Sequence, residues 1–463
     1  MRIDLGTPNK KQKLFLEDRH RHVAFGGARG GGKSWAIRVK AVLLALNHAG
    51  ITIMIIRKTY PELMANHIRP LKKLLNIGTK GCPFKYNDSK KEMLFPNGSL
   101  ILFGYCNTDA DTDRYQGTEV DILFLDEATQ LSEQQIKDLN ACVRGANSFP
   151  KRTYYTCNPG GKGHAYIKRL FIDKEYLSGE YAEDYSFVQS LVYDNEVLME
   201  SNPEYVRALE ALPDAKRAAW LDGDWNSFVG QVFTEWRNDA NGYDTHKWTH
   251  VINPFNIPSD WKIYRGFDHG YSKPFSVCWF ALDHEETLYL IDEWYGCTQQ
   301  ANTGLQLTAQ EIAEGIKERE RANPFLNRKK IHGIADPAIW GKTTGESIAE
   351  MFEKSGIYFD KGDHTRLAGL MQFHYRLAFD KNGYAKFYAF KECKHFIRTI
   401  PILIYDDKNV EDIDTDLEDH IYDAVRYVFM EHPINRRENI KRYTEKDPLP
   451  PDDPLNILTI RSR

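Results

Sequence analysis

The chain has no apolar run approaching the roughly eighteen residues of a membrane span. Its N-terminus, MRIDLGTPNKKQKLFLEDRHRH, lacks the apolar middle of a signal peptide. Seven cysteines (82, 106, 142, 157, 278, 297 and 393) never form a C-x-x-C pair. That argues against a disulfide framework or a structural zinc cluster and fits a reducing cytosol. Net positive charge is also missing: the formal charge is −4. Any nucleic-acid path must then be a local basic stripe. What remains, 42% hydrophobic and 27% charged residues over 463 positions, is a globular composition too long for one ordinary core, so two domains are expected, or three.

Glycine is concentrated in one place. FGGARGGGKSWA, Phe25 to Ala36, follows the strand-like run His22–Phe25 and precedes Ser34–Gly50. In that second run Ala36, Val39, Leu43 and Leu46 recur at helical spacing. Gly27-x-x-x-x-Gly32-Lys33-Ser34 is the phosphate-loop pattern, with Gly30 and Gly31 inside it. Glycines let consecutive N–H groups approach phosphate, and the helix N-terminus adds partial positive charge. Lys33 would reach the β- and γ-phosphates of ATP, and Ser34 would ligate Mg²⁺. The run Val120–Leu125 reads as a buried strand ending at Asp126-Glu127. Asp126 would hold the metal through water and Glu127 would polarise the attacking water. Ser132-x-x-Gln135 is a capping box. Lys151–Pro159 reads as a strand ending in Thr156, Cys157 and Asn158. Strands near 22–25, 51–56, 99–104, 120–125 and 152–157 predict a mostly parallel α/β sheet with its site at the strand C-termini. MIIRKTYPELMANHI and TDADTDRYQGTEVD read as loops bearing basic residues. Arg114, in the second, is a candidate for an arginine supplied to a neighbouring subunit.

After Leu221–Gly230 the texture changes, and a stretch rich in Asn, Asp, Gly, Trp and Pro runs to about Trp261. Residues 261–296 then read as a three-stranded meander, 308–323 as a helix and 329–338 as a strand ending at Asp336-Pro337. Residues 414–432 read as a closing helix on which Asp416, Asp419, His420 and Asp423 share a face. Asp268 falls late in the first strand of this half. Three carboxylates, Asp268, Asp336 and Asp423, converging from two strands and a helix repel one another unless cations sit among them. Hard oxygen donors suit Mg²⁺ or Mn²⁺, and two such ions about 3.5–4 Å apart serve phosphodiester cleavage.

The ordered set FGGARGGGKS, DILFLDEATQ, TCNPGG, LDGDW, GFDHG, IADPA and EDHIYDAVRY resembles the large terminase subunit of tailed bacteriophages over about residues 5–432. The resemblance implies an N-terminal P-loop, ASCE-type ATPase domain (1–225), a linker (226–260), a ribonuclease-H-like α/β nuclease domain (261–432) and a tail (433–463). It implies Gln12 as an adenine contact, Arg29 as a stabiliser of phosphate charge and Asn158 as part of the motif coupling hydrolysis to movement. It adds His420 as a neighbour of the metal-binding triad Asp268, Asp336 and Asp423, and leaves Arg114 and Arg144 open as the neighbour-supplied arginine. The implied cofactors are ATP with Mg²⁺, and two Mg²⁺ or Mn²⁺ ions at the nuclease site. The implied partners are double-stranded DNA, the portal protein of the procapsid, a small terminase subunit and other copies in a ring when docked, a monomer being compatible with the free state. The implied place of action is the host cytoplasm, with no membrane. A helicase or repair translocase fused to a nuclease, and a non-catalytic ATP-gated assembly factor, are the alternatives.

Overall fold

The computed structural model describes residues 3–435 apart from 203, 213, 227, 229, 299–301, 343–344, 407–408, 410 and 416. The first sheet contains β1 (His22–Gly27), β2 (Thr52–Arg57), β3 (Lys85–Asn87), β4 (Glu92–Leu94), β5 (Leu100–Tyr105), β6 (Ile122–Leu125), β7 (Arg152–Cys157) and β8 (Tyr185–Ser190). Their order is β3-β4-β5-β2-β6-β7-β1-β8, with β5 to β8 running parallel. β6, Ile-Leu-Phe-Leu, is buried at all four positions, as a central strand covered on both faces requires. β7 stands between β1 and β6, so the sheet has the extra strand between phosphate-loop strand and acidic strand that marks the ASCE arrangement. β3, β4 and the half-exposed edge strand β8, whose Tyr-Ser-Phe-Val-Gln-Ser carries no long apolar run, go beyond the five expected strands.

The segment read as a basic loop after β2 is mostly helical. It runs Tyr60–Leu63, then a wide π-type turn Met64–Ile68, then Arg69–Leu74. Leu63, Ile68 and Leu71 are buried against the sheet, and that packing outweighs the polar composition of the stretch.

The second sheet contains β9 (Val251–Ile252), β10 (Lys262–Asp268), β11 (Ser276–Leu282), β12 (Leu288–Tyr295), β13 (Ile331–Ala335), β14 (Asp360–Lys361) and β15 (Phe387–Phe390), in the order β14-β13-β10-β11-β12-β15-β9. β10, β11 and β12 form an antiparallel meander, while β13 joins β10 in parallel and β14 joins β13 in parallel. A meander extended by two parallel strands on its first edge is the ribonuclease-H-like arrangement. The last helix, His420–Glu431, lies on β10 so closely that a Cβ on Gly266 would stand 2.2 Å from the Ala424 carbonyl oxygen. Helix Arg366–Leu377 packs beside it through Phe373 and Tyr422, whose ring centroids are 4.6 Å apart.

The closing helix is shorter than 414–432. Ile413 bridges Tyr405 and the Asp414 N–H donates to Ile404, so this stretch is held against residues 404–405 before the helix starts at His420. Asp416 lies outside the described residues. Within 226–260, Val232, Phe233, Val251 and Ile252 are buried, Val232 N–H donates to Leu403, and β9 adds to β15. Between the halves, Lys162, in the loop after β7, lies 3.1 Å from Asp414.

Candidate active sites

The first site is built at the C-terminal ends of β1, β6 and β7. The glycine loop leaves β1 and enters helix Lys33–Asn47 through Gly32, whose φ of 75° is the left-handed conformation that favours glycine. A side chain there would also strike Gln12, whose Nε2 donates to the Gly32 carbonyl at 3.3 Å. Gln12 is held by a reciprocal capping box with Asn9 and so stands at the edge of the loop. Lys33 is buried, its Nζ donates to the Ala28 carbonyl, and burial lowers its ammonium to about 8. Arg29 stacks on Trp220, its guanidinium carbon 3.4 Å from the ring centroid, and Asn195 Nδ2 donates to the Gly30 carbonyl at 2.6 Å.

Ser34 Oγ lies 3.3 and 3.4 Å from the two Asp126 oxygens. Asp126 is 1% exposed, and burial alone would raise its carboxyl. His67 Nε2 at 2.8 Å, Arg57 Nη1 at 2.7 Å and the Thr156 hydroxyl overcome that and hold it well below the usual carboxylate range. Thr156 Oγ1 also accepts the Glu127 N–H at 2.9 Å, so one hydroxyl on β7 orients both acids. Glu127 has φ 56° and sits 2.8 Å from Arg57 Nη2; burial raises its carboxyl. Asn158, just past the end of β7, has a buried, unpartnered Oδ1, and its carbonyl accepts from Thr129 Oγ1 at 2.9 Å.

Sequence reasoning gave Arg57 and His67 no role. Arg57 ends the strand beside β6, a signal available only once strand order is known. His67 sits on the π-type turn, which brings its ring to Asp126 from 59 positions away. Arg114 lies over the Tyr105 ring at 4.5 Å and pairs with Asp111, at the C-terminal rim of the sheet. Arg144 is 3.8 Å from Glu119, beside the start of β6. For Mg²⁺ the donor chemistry fits: a hydroxyl and an ionised carboxylate face each other behind the phosphate loop.

The second site lies at the C-terminal ends of β10 and β13. Phe267 pairs with Ala335, and the Asp336 N–H donates to the Phe267 carbonyl at 3.1 Å, so Asp268 and Asp336 emerge side by side. The last helix brings His420, whose Nδ1 is 3.4 Å from Asp268 Oδ2, and Asp423 one turn later. Burial first, then Asp423 and Asp336, push the Asp268 carboxyl far up. Asp419 joins the group, pushed up to about 7 by burial and by Asp423 and Asp268. Desolvated, mutually repelling oxygen donors are the chemistry that hard divalent ions suit. Yet among the described residues no three His, Cys, Asp or Glu side chains are arranged to hold a metal ion. Two arginines stand among the acids instead. Arg426 Nε and Nη2 each lie 2.9 Å from Asp423 Oδ1, and Arg366 lies among Asp412, Asp419 and Asp423.

Among the described residues no helix is long and apolar enough to cross a membrane. No curated protein matches the chain. Among solved structures, the chain is similar to the large terminase of a thermophilic bacteriophage in complex with ATP-γ-S, at 19% identity and TM-score 0.39, over 92% of this chain and 99% of that one. It is similar to the HK97 bacteriophage large terminase at 10% identity and TM-score 0.46, over 92% and 94%. The P22 large terminase nuclease domain matches at 17% identity and TM-score 0.33, over 44% and 92%. Residues 19–220 match the family model described as phage terminase large subunit. That match covers 202 of the 463 residues, the stretch that carries the phosphate loop, and it is there that the chain is similar to phage terminase large subunits.

Proposed function

We propose that this chain is the motor subunit of a viral DNA-packaging machine, an ATPase that moves double-stranded DNA into a capsid and a metal-dependent endonuclease that cuts it. One observation carries the reading: the chain holds two polar sites, each at the strand C-termini of its own sheet, and the second, lacking a phosphate loop, gathers Asp268, Asp336, His420 and Asp423. A motor that also trims its track needs two such chemistries in one polypeptide.

At the first site the loop N–H groups and Lys33 bind the phosphates of ATP. Ser34 and Asp126 would hold Mg²⁺, which supplies charge neutralisation between the phosphates. Glu127 accepts a proton from the attacking water, with Arg57 and Thr156 fixing its place. Gln12 borders the adenine side, Arg29 offers charge to phosphate once it leaves Trp220, and Asn158 senses the outcome. Arg114 is the proposed contribution to a neighbouring copy. At the second site Asp268, Asp336, Asp423 and His420 would have to draw closer together than they stand to hold two Mg²⁺ or Mn²⁺ ions, which would supply Lewis acidity at a phosphodiester. The proposed domains are 1–225, 226–260, 261–432 and 433–463, and the proposed partners are duplex DNA, a portal, a small terminase subunit and further copies in a ring in the host cytoplasm.

The test is a double dissociation. Asp336→Asn should lose plasmid nicking in Mn²⁺ and keep ATP hydrolysis, and Glu127→Gln should do the reverse. Normal nicking by Asp336→Asn and Asp268→Asn together would remove the nuclease.

A further inference from the structure

Two arginines enter the acid cluster of the second sheet, and they are not alike. Arg426 is 2% exposed. Its Nε and Nη2 both meet Asp423 Oδ1 at 2.9 Å, one helical turn away. A Cβ on Gly369 would lie 2.4 Å from its Cδ, so its stem is wedged between the last helix and helix Arg366–Leu377. That is a brace: buried, close-packed and hydrogen-bonded to the acid it supports.

Arg366 is the first residue of its helix and 32% exposed. Its Nε is 2.5 Å from Asp412 Oδ2. The other two nitrogens stand off: Nη1 is 3.7 Å from Asp423 Oδ2 and Nη2 is 4.0 Å from Asp419 Oδ2. Nη2 is buried without a hydrogen-bond partner, as is Nη1 of Arg426, so it is the distance to the carboxylates that sets the two arginines apart. A guanidinium whose only task was to hold these carboxylates would close to hydrogen-bond distance, as Arg426 does. Arg366 instead spends one edge on Asp412 and leaves its fork facing the gap between Asp419 and Asp423. A planar fork of N–H donors matches phosphate oxygens two at a time. It also offsets the repulsion that clustered carboxylates impose on an incoming polyanion.

We propose that Arg366 is a substrate-positioning residue of the nuclease site, its free guanidinium edge binding a phosphate of the DNA strand brought to Asp268, Asp336 and Asp423. The inference rests on the nuclease reading above and names the group that docks the substrate there. Asp412 tethers the side chain from behind, and Arg426 keeps Asp423 in place.

The experiment uses full-length Arg366→Ala and Arg366→Lys, with thermal melts to confirm folding. Nicking of supercoiled plasmid in Mn²⁺ gives KM and kcat. Anisotropy of a short fluorescein-labelled duplex in Ca²⁺, across a salt series, gives binding without cutting. Mn²⁺ binding is followed by electron paramagnetic resonance. Arg366→Ala is expected to raise the KM for DNA about tenfold or more. It should flatten the salt slope by about one contact and leave Mn²⁺ binding intact. Arg366→Lys is expected to restore the salt slope while keeping part of the KM defect, because an ammonium replaces charge but not the fork. Unchanged KM and salt slope in Arg366→Ala would make Arg366 a second brace and overturn the inference. So would loss of Mn²⁺ binding with an unchanged slope. Wild-type protein that binds duplex and fails to nick would overturn the nuclease reading itself, whereas nicking wild type with an unaffected variant defeats only the role of Arg366.

Discussion

The ring Nε2 of His67 lies 2.8 Å from Oδ2 of Asp126, and its Nδ1 is buried without a partner. The same carboxylate oxygen meets Arg57 Nη1 at 2.7 Å, the other accepts from Thr156, and Ser34 Oγ lies near both. His67 thus fixes one side of the acid that faces the phosphate loop. A hydrogen bond to a charged group is worth about 1.5–3 kcal/mol. His67→Ala should therefore cut ATP hydrolysis about tenfold to a hundredfold and shift its Mg²⁺ requirement upward. His67→Asn, which can still donate, should recover part of the rate. A Mg²⁺ titration of steady-state hydrolysis checks both.

Arg114 and Arg144 differ in placement: the first lies over Tyr105 at the C-terminal rim of the sheet, the second beside Glu119 near the start of β6. If Arg114 completes a neighbour's site, Arg114→Ala should lose about a thousandfold of the ring-dependent hydrolysis rate. Mixing it with Lys33→Ala should restore part of that rate, because each ring then contains intact composite sites. Arg144→Ala should hydrolyse normally. Hydrolysis measured on capsid-docked mixtures distinguishes the two.

Gly266 lets the last helix sit on β10, where a Cβ would come within 2.2 Å of the Ala424 carbonyl oxygen. Gly266→Ala forces that backbone apart and should cost about 1–3 kcal/mol of stability. It should also weaken nicking by moving Asp423 away from Asp268. ATP hydrolysis should survive, since the contact belongs to the second sheet. Denaturant melts read beside the two activities test this.

Glu293 accepts the N–H groups of His395 at 2.6 Å and Phe396 at 2.9 Å, yet burial pushes its carboxyl up to about 7. The folded protein therefore holds a proton that the unfolded chain, near 4.5, releases. Stability should fall as pH rises from about 4.5 to 7, by up to the order of 3 kcal/mol, and then level off. Glu293→Gln should flatten that part of the profile. Chemical denaturation between those pH values gives the slopes directly.

Much of the scaffold was legible because its signals are local. The phosphate loop is eight consecutive residues whose glycines and helix start make the cradle by themselves. The buried run before Asp126-Glu127, the capping box at Ser132 and the meander of the second half are likewise short-range patterns. The helical spacing of Asp414 and its neighbours predicts a longer last helix than the one that forms, His420–Glu431. The bridge from Ile413 to Tyr405, a tertiary contact, holds them out of the helix.

By itself the amino-acid order determined which stretches could cradle phosphate or end a buried strand in acids, since backbone conformation and alternation are set by near neighbours. It could not determine that β7 slides between β1 and β6, that a turn carries His67 to Asp126, or that Arg366 reaches a carboxylate 57 positions away. Those pairings depend on which surfaces bury one another, and apolar burial has no direction along the chain; only the packed sheets and helices decide which distant charges meet.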